Sequence, residues 1–415
     1  MRVYLKKKTG CLIGFFLFLT LTVVVPSSGI ENKQEWDAAF NAFYAQQDPL
    51  LDLKEANEKG LFAWQGHYWI RAYVSMAAAY GDTAYLDKAQ KLIDFILANR
   101  DDQRAARGEI DLIAAPYFAA PLFYLRNRPQ PAPGWRTWDE NYKGWRVLLV
   151  DDAQVVHAIM RYVDLIATDE RFAAYWPGAM DYMAKVEETV KAHDGSFLFD
   201  ASPKIPGSYY YENPDGSGLY SGAVEFNMDA SMGCALLLLD KVKGGVPEYR
   251  QKAAAILAWW KAHLRELSDG TLDWDYDLQD GKVKTTATGS QDVNHAHLDL
   301  SFLILSHHAG LDVSNEVLRK CADTFMNTVY LGDGKIAWSI DGKDRSEEHY
   351  YPAGYDWIDL AELEPQVLDI AQEVYQKHYP TPTWARPFLG WAEILRWKQY
   401  FKEQPPLPPE AIRLE

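Results

Sequence analysis

The feature that most constrains the fold is a pair of helical segments that recurs along the chain. Residues 64–80 are apolar and aromatic and close on Gly81-Asp82; residues 83–99 follow, with Tyr85, Leu86, Ala89, Leu92, Ile93, Ile96 and Leu97 at helical spacing. The unit returns at 150–167 with 169–191, at 224–242 with 247–264, at 293–309 with 314–330, and at 357–363 with 364–379; a last helix is predicted at 384–401. The second members, among them "TAYLDKAQKLIDFIL", "PEYRQKAAAILAWWKAHL" and "NEVLRKCADTFMNTVY", are amphipathic, whereas the first members are apolar nearly all round and begin with polar clusters. A helix that is apolar all round must be covered on every side, so the first members are predicted to be inner helices and the second members outer ones. Stacked hairpins of this kind close into an all-α toroid, (α/α)6 or (α/α)7, with functional residues at one end of the inner helices and on the loops above them. Strand signals are few: residues 272–276 and 282–286 are predicted to form a hairpin around Gln279-Asp280-Gly281.

The first 29 residues read as an export signal, with a basic start (Arg2, Lys6, Lys7, Lys8), a short apolar run from Leu12 to Val25, and Pro26-Ser27-Ser28-Gly29 after it. Cleavage there leaves one domain, 30–415, expected to be secreted or periplasmic, with no later segment apolar enough to insert stably in a membrane. The two cysteines that follow, Cys234 and Cys321, lie in apolar helical contexts and are expected to be buried free thiols. No Cys/His spacing resembles a zinc site, so neither metal nor cofactor is expected. The formal charge is −16, and loss of the four leader cations makes it −20, a surface that repels nucleic acid and anionic membranes. The 15 Trp and 25 Tyr suit both a large helical core and a carbohydrate cleft, because these rings stack on sugar faces while their polar tips bond hydroxyls.

If the inner helices share a direction, their starts converge on one rim, and each start carries unusual residues. They are Trp64, His67, Tyr68 and Arg71; Asp151, Asp152 and His157; Glu225, Asn227 and Asp229, preceded by Tyr209-Tyr210-Tyr211; and Gln291-Asp292-Val293-Asn294-His295-Ala296-His297. Polar groups at the mouth of a buried helix must be hydrogen-bonded or they cost stability, so these clusters are expected to face a cleft. The competing reading is structural: Asp151 or Asp152, and Asp292 or Asn294, are equally suited to cap a helix. The Tyr209–Tyr211 triplet, set among Gly, Pro, Ser and Asp, is expected to lie in a loop and wall a binding site, while Asp341 and Asp344 read as an exposed turn.

Two reactions suit a sugar cleft with this lining. β-Elimination on a uronic-acid polymer needs the C6 carboxylate neutralised, the C5 proton removed and the departing O4 protonated, tasks open to Asn, His, Arg and Tyr. On that scheme Asn227 and His295 neutralise the carboxylate, Tyr209 or Tyr211 moves the protons, and Arg71 lowers the tyrosine pKa; Trp64, His67, Tyr68, Asp152, Trp274, Tyr276 and His297 bind substrate. Hydrolysis needs a carboxylic acid of raised pKa and a second carboxylate, which Asp151, Asp152, Glu225 and Asp229 supply. A non-catalytic glycan-binding protein would keep the aromatics and leave the histidines without proton-transfer geometry. For an acidic polysaccharide the cleft must be locally positive, through Arg71, His67, His295, His297 and Arg161.

The segments "WQGHYWIRAYVSMAAAYGDTAYLDKA", "EFNMDASMGCALLLLDKV", "QDVNHAHLDLSFLILSHHAGL" and "AGYDWIDLAELEPQVLDIA" resemble those of α/α-toroid polysaccharide lyases, especially polysaccharide lyase family 38. The likeness is spread over most of the chain after the leader, and its most specific part is Asp292 to His297. It implies an alginate or glucuronan lyase. Related segments occur in glucuronyl C5-epimerases, which begin with the same C5 proton abstraction, so the resemblance spans elimination and epimerisation. Such segments carry Glu-Asp ahead of the His, and here Gln291 stands at the Glu position.

Overall fold

A computed structural model describes residues 29–44, 59–110, 131–139, 144–202, 204–212, 219–278, 286, 288–343 and 348–403. The leader before residue 29, the polar loop 213–218, the turn and most of the second strand predicted at 279–286, Asp344 and Arg345, and the Pro-rich tail lie outside these residues.

The chain is predominantly helical. Helix α1 (Lys33–Tyr44) is followed by a π turn (Phe62–Gly66) that runs into α2 (His67–Tyr80), then α3 (Thr83–Ala98) and the short α4 (Asp101–Ala106). Next come α5 (Leu149–Thr168) and α6 (Trp176–Ala192), α7 (Phe226–Val242) and α8 (Pro247–His263), α9 (Val293–His308) and α10 (Asn315–Thr324), α11 (Gln366–His378) and α12 (Ala385–Glu403). The predicted pairs fall on these helices, and their boundaries follow local chemistry. Gly81 ends α2 in the left-handed region at φ 67°, with its N–H on the carbonyl of Ala77, and Asp82 then caps α3 through Ala84 N–H. Pro177, in the first turn of α6, separates that helix from a 3-10 turn (Glu170–Tyr175) where one continuous helix was expected. The fifth inner element also departs from expectation: it is a run of 3-10 turns, Glu348–Glu362, containing Pro352, which lacks the N–H an α-helix would use.

The inner elements pack in cyclic order. α2 lies on α5, α5 on α7, α7 on α9, α9 on the 3-10 run, that run on α12, and α12 back on α2. The second members flank them, α3 on α2, α6 on α5, α8 on α7, α10 on α9 and the 3-10 run, and α11 on that run and α12, while α1 covers α12. A single apolar cluster reaches from Ile30 to Trp397. The all-round apolar character of α7 is explained here: from Ala230 to Leu239 every residue is buried. Gly233 permits the closest approach, since a Cβ there would stand 2.5 Å from Phe302 of α9.

The strands are short and antiparallel. β1 (Arg136–Asp139) and β2 (Gly144–Val147) form a hairpin before α5, and β3 (Phe197–Ser202), β4 (Ile205–Glu212) and β5 (Leu219–Ala223) form a sheet against α8. β6 (Arg265–Glu266) pairs with β7 (Leu272–Asp273), and β8 (Tyr330–Gly332) with β9 (Lys335–Ile336). The tyrosine triplet therefore lies in strand β4 and not in a loop, as three consecutive aromatics favour extended backbone. Residues 272–273 pair back to 265–266. Asp341 is buried, accepting from Ser339 Oγ and Lys343, where an exposed turn was expected. Cys234 and Cys321 are buried and free. Among the described residues no helix is long and apolar enough to cross a membrane.

Candidate active site at the first turns of the inner helices

Residues near the starts of α2, α9 and α12 meet at the 3-10 run, and residues toward the ends of α2, α5, α9 and α12 line neighbouring cavities. At the first turns, Arg386 of α12 and His297 of α9 both reach Asp356 of the 3-10 run, at 2.5 and 3.4 Å, and Arg386 lies over the ring of Tyr68 of α2 at 5.9 Å. Toward the last turns, Ala78, Thr168 and Arg396 line one cavity and Ile304, His308, Glu362 and Tyr400 line its neighbour.

The rim holds two groups of polar residues. The outer group begins with Asp292, which caps α9 by accepting from the N–H groups of Asn294 and His295 and meets Nδ1 of His295 at 2.6 Å. Asp292 is buried and His295 one-third exposed, so the carboxylate fixes the imidazole and leaves Nε2 to face outward. Tyr276 stands edge-on to His295 with ring centroids 4.9 Å apart, held there because Gln291 N–H bonds the carbonyl of Trp274 and Asp275 bridges to Ser290. Across the rim, the register of β4 shifts between Tyr210 and Glu212, and Tyr211 donates its hydroxyl proton to Glu225. Glu225 occupies the N-cap position of α7 but makes no side-chain cap bond; its carboxylate serves Tyr211 instead. Burial, then the charge and hydrogen bond of Glu225, push the Tyr211 hydroxyl far above its usual range, with Arg146 opposing. Burial and the charges of Glu225 and Asp292 push Tyr276 up likewise. Both tyrosines therefore stay protonated, and Tyr211 is a donor to Glu225. The expectation that a cation lowers the tyrosine pKa is corrected by the carboxylates beside both.

Next to this group, the indole N–H of Trp64 bonds Asp151, whose carboxyl is raised to about 7 by burial and by Asp152, against Arg146, Trp64 and Thr137. Trp64 is 41% exposed on the π turn that opens α2. Arg146 enters from β2, directly opposite Thr137 in the hairpin register.

The inner group is His67, Tyr68, His297, Tyr355, Asp356 and Arg386, all buried. Burial, then the charge of Arg71, holds His67 well below the usual imidazole range; burial lowers His297 to about 4 despite Asp356. Both rings are neutral, so they do not supply the positive charge expected of them. Asn227 on α7 is buried to 2% exposure, and its Oδ1 has no hydrogen-bond partner among the described residues; the same holds for Asn294 Oδ1 and the Tyr355 hydroxyl. Orphaned buried polar atoms near the first turns are what a ligand's hydroxyl or amide would satisfy.

Four sequence expectations move. Tyr209 is fully buried, edge-on to Phe197 at 4.9 Å, and its hydroxyl faces core rather than cleft. Trp274 is fully buried against Trp260 and donates to Asp299 at 2.8 Å, so it offers no stacking face. Asp152 accepts from Trp135 N–H and meets His193 Nε2 at 3.0 Å with no exposed surface, tying the segment before β1 to the end of α6. Arg71 lies a turn below His67 and lines a cavity toward the last turns. Sequence gives Glu225 and Asp151 as carboxylates for hydrolysis, and Asp151 also as a helix cap; it does not single out Arg146, Tyr355, Asp356 or Arg386. The last three carry the same signal as the other inner starts, charged or hydroxyl groups inside Tyr355-Asp356-Trp357 and Ala385-Arg386-Pro387 at the head of apolar runs.

Among the described residues no group of three or more His, Cys, Asp or Glu side chains is placed to hold a metal ion. No protein-family model and no curated protein matches the chain.

Proposed function

We propose that this chain is an exported polysaccharide lyase, built as an (α/α)6 toroid, that cleaves a uronic-acid polymer of the alginate or glucuronan type by β-elimination. The toroid reading is supported by six inner elements that pack in cyclic order with α12 returning to α2. The lyase reading rests on one observation: a carboxylate-held histidine, Asp292·His295, stands on the same rim as a protonated tyrosine, Tyr211·Glu225, with Arg146 close by. Elimination needs that division of labour. Arg146, with Asn227 and Asn294, takes the C6 carboxylate and acidifies the C5 proton. His295 Nε2 removes that proton, and Asp292 balances the imidazolium that forms. The electron pair of the C5–H bond becomes the C4=C5 double bond, the C4–O4 bond breaks, and Tyr211 gives its proton to O4, with Arg146 beside the phenolate left behind. Trp64 offers a stacking face for a neighbouring sugar.

The decisive experiment is an absorbance scan for unsaturated uronates with alginate, glucuronan and neutral polysaccharides as substrates. Alginate or glucuronan is expected to yield unsaturated ends, and His295→Ala is expected to remove them while the protein stays folded. A specific observation favours one other reading: Asp151 is a carboxyl held near neutral pKa beside an exposed Trp, as a hydrolase's general acid must be. Saturated products whose formation depends on Asp151 and not on His295 would establish the hydrolase in place of the lyase.

A further inference from the structure

Two adjoining cavities of about 150 and 220 Å³ lie toward the last turns of the inner helices, away from the rim, and share Arg161 and Arg396 as walls. The charges around the smaller one do not balance. Asp164 on its wall is paired with Lys241 at 2.7 Å. Arg396 donates to Glu393 at 2.8 Å and to Asp359 at 2.5 Å, and Arg161 stands 3.6 Å from the same Asp359 and 3.3 Å from Nε2 of His157. Glu393 also accepts from Ser75 Oγ at 2.9 Å. Two carboxylates thus serve three arginines, and among the described residues the third, Arg71, comes no nearer to a carboxylate than 3.8 Å, at Glu393. Asp356, the next acid, is taken by Arg386 at 2.5 Å. Arg71 is only 8% exposed and lines the cavity.

A buried cation without a close counter-charge is costly, and a planar guanidinium favours a carboxylate that it can meet with two N–H groups. Surplus of one positive charge, with Glu393 and Asp359 nearby to repel a dianion, selects a monoanion. We propose that this cavity is a binding site for a small monoanionic carboxylate, held by Arg71 and Arg161, separate from the rim site and independent of the chemistry performed there.

The test is calorimetric titration of the full chain with sodium acetate at neutral pH, against sodium chloride and sodium sulfate at matched ionic strength, with unfolding temperature as a second readout. Saturable acetate binding and an unfolding temperature above that in matched chloride are expected. Arg161→Gln removes a charge-assisted partner at the cavity wall and is expected to weaken acetate about tenfold. Arg71→Gln removes the surplus charge and is expected to abolish the response; should that variant fail to fold, Arg161→Gln decides alone. Acetate indistinguishable from chloride, sulfate bound more tightly than acetate, or Arg161→Gln binding acetate like the parent protein would each overturn the proposal.

Discussion

Tyr209 and Tyr211 stand two positions apart on β4, and strand alternation alone would aim both hydroxyls to one side. The register shift after Tyr210 separates them: Tyr209 stays in the core and Tyr211 reaches Glu225 at the rim. The two phenylalanine variants should therefore diverge. Tyr211→Phe removes the proposed proton donor and is expected to lower kcat about a hundredfold with KM little changed, measured by initial rates on the responsive polysaccharide. Tyr209→Phe removes a buried hydroxyl that has no partner among the described residues, so activity should be native and stability unchanged or raised by about 1 kcal/mol in urea unfolding. Equal losses in both variants would contradict this assignment. Asp292→Asn is a finer probe: it keeps the helix cap but removes the charge that supports an imidazolium at His295, so kcat should fall and its pH profile should change while folding persists.

At the scale of elements, the seam between α7 and α9 is set by Gly233. A helix interior gains about 1 kcal/mol from Ala in place of Gly, yet here the added methyl would stand 2.5 Å from Phe302 Cε2. Overpacking outweighs propensity, and Gly233→Ala is expected to cost about 1–3 kcal/mol, read from the denaturant midpoint. Phe302→Leu in the same chain should recover part of the loss. Gly233 sits in an unbroken buried stretch, and nothing in the sequence distinguishes it from a weak helix former, because the clash partner lies on another helix. The helices themselves were legible from the chain, with inner and outer members told apart by whether polar residues occupy one face or none. The 3-10 run was not, since the predicted start at Trp357 marks only its last part.

For the whole molecule, the buried titratable groups set opposing pH dependences. Asp299, bonded by Trp274 and Gln291, has its carboxyl raised by burial from 3.8 to about 7. The folded state then holds a proton that the unfolded chain releases, so this group's contribution is present at low pH and lost as pH rises from about 3.8 to about 7. His297 behaves oppositely: burial lowers it from 6.5 to about 4, and its contribution is lost as pH falls through that interval. Each has a limiting slope of about 1.4 kcal/mol per pH unit. Between about pH 4 and 6.5 the two slopes oppose each other, so Asp299→Asn, which keeps an acceptor for Trp274, should make the urea midpoint rise more with pH there, while His297→Gln should make it fall more. An unchanged pH profile in Asp299→Asn would mean that this carboxyl is ionised in the folded protein.

The amino-acid sequence by itself determined that the chain is helical, that apolar helices alternate with amphipathic ones, and that polar clusters stand at the heads of the apolar ones. Periodicity and composition are local, and they report how much of each helix is covered. Tertiary structure alone decided which members of those clusters stay partly exposed and which are closed in. Asp151 and Asp152 are neighbours on one helix, yet the first meets Trp64 and Arg146 at the rim and the second is closed in by Trp135 and His193. His295 and His297 are two residues apart, one held by Asp292 and partly exposed, the other buried beside Asp356. The same side chain stays partly exposed or is closed into the core according to which residue it meets, and that partner is set by how the helices stack.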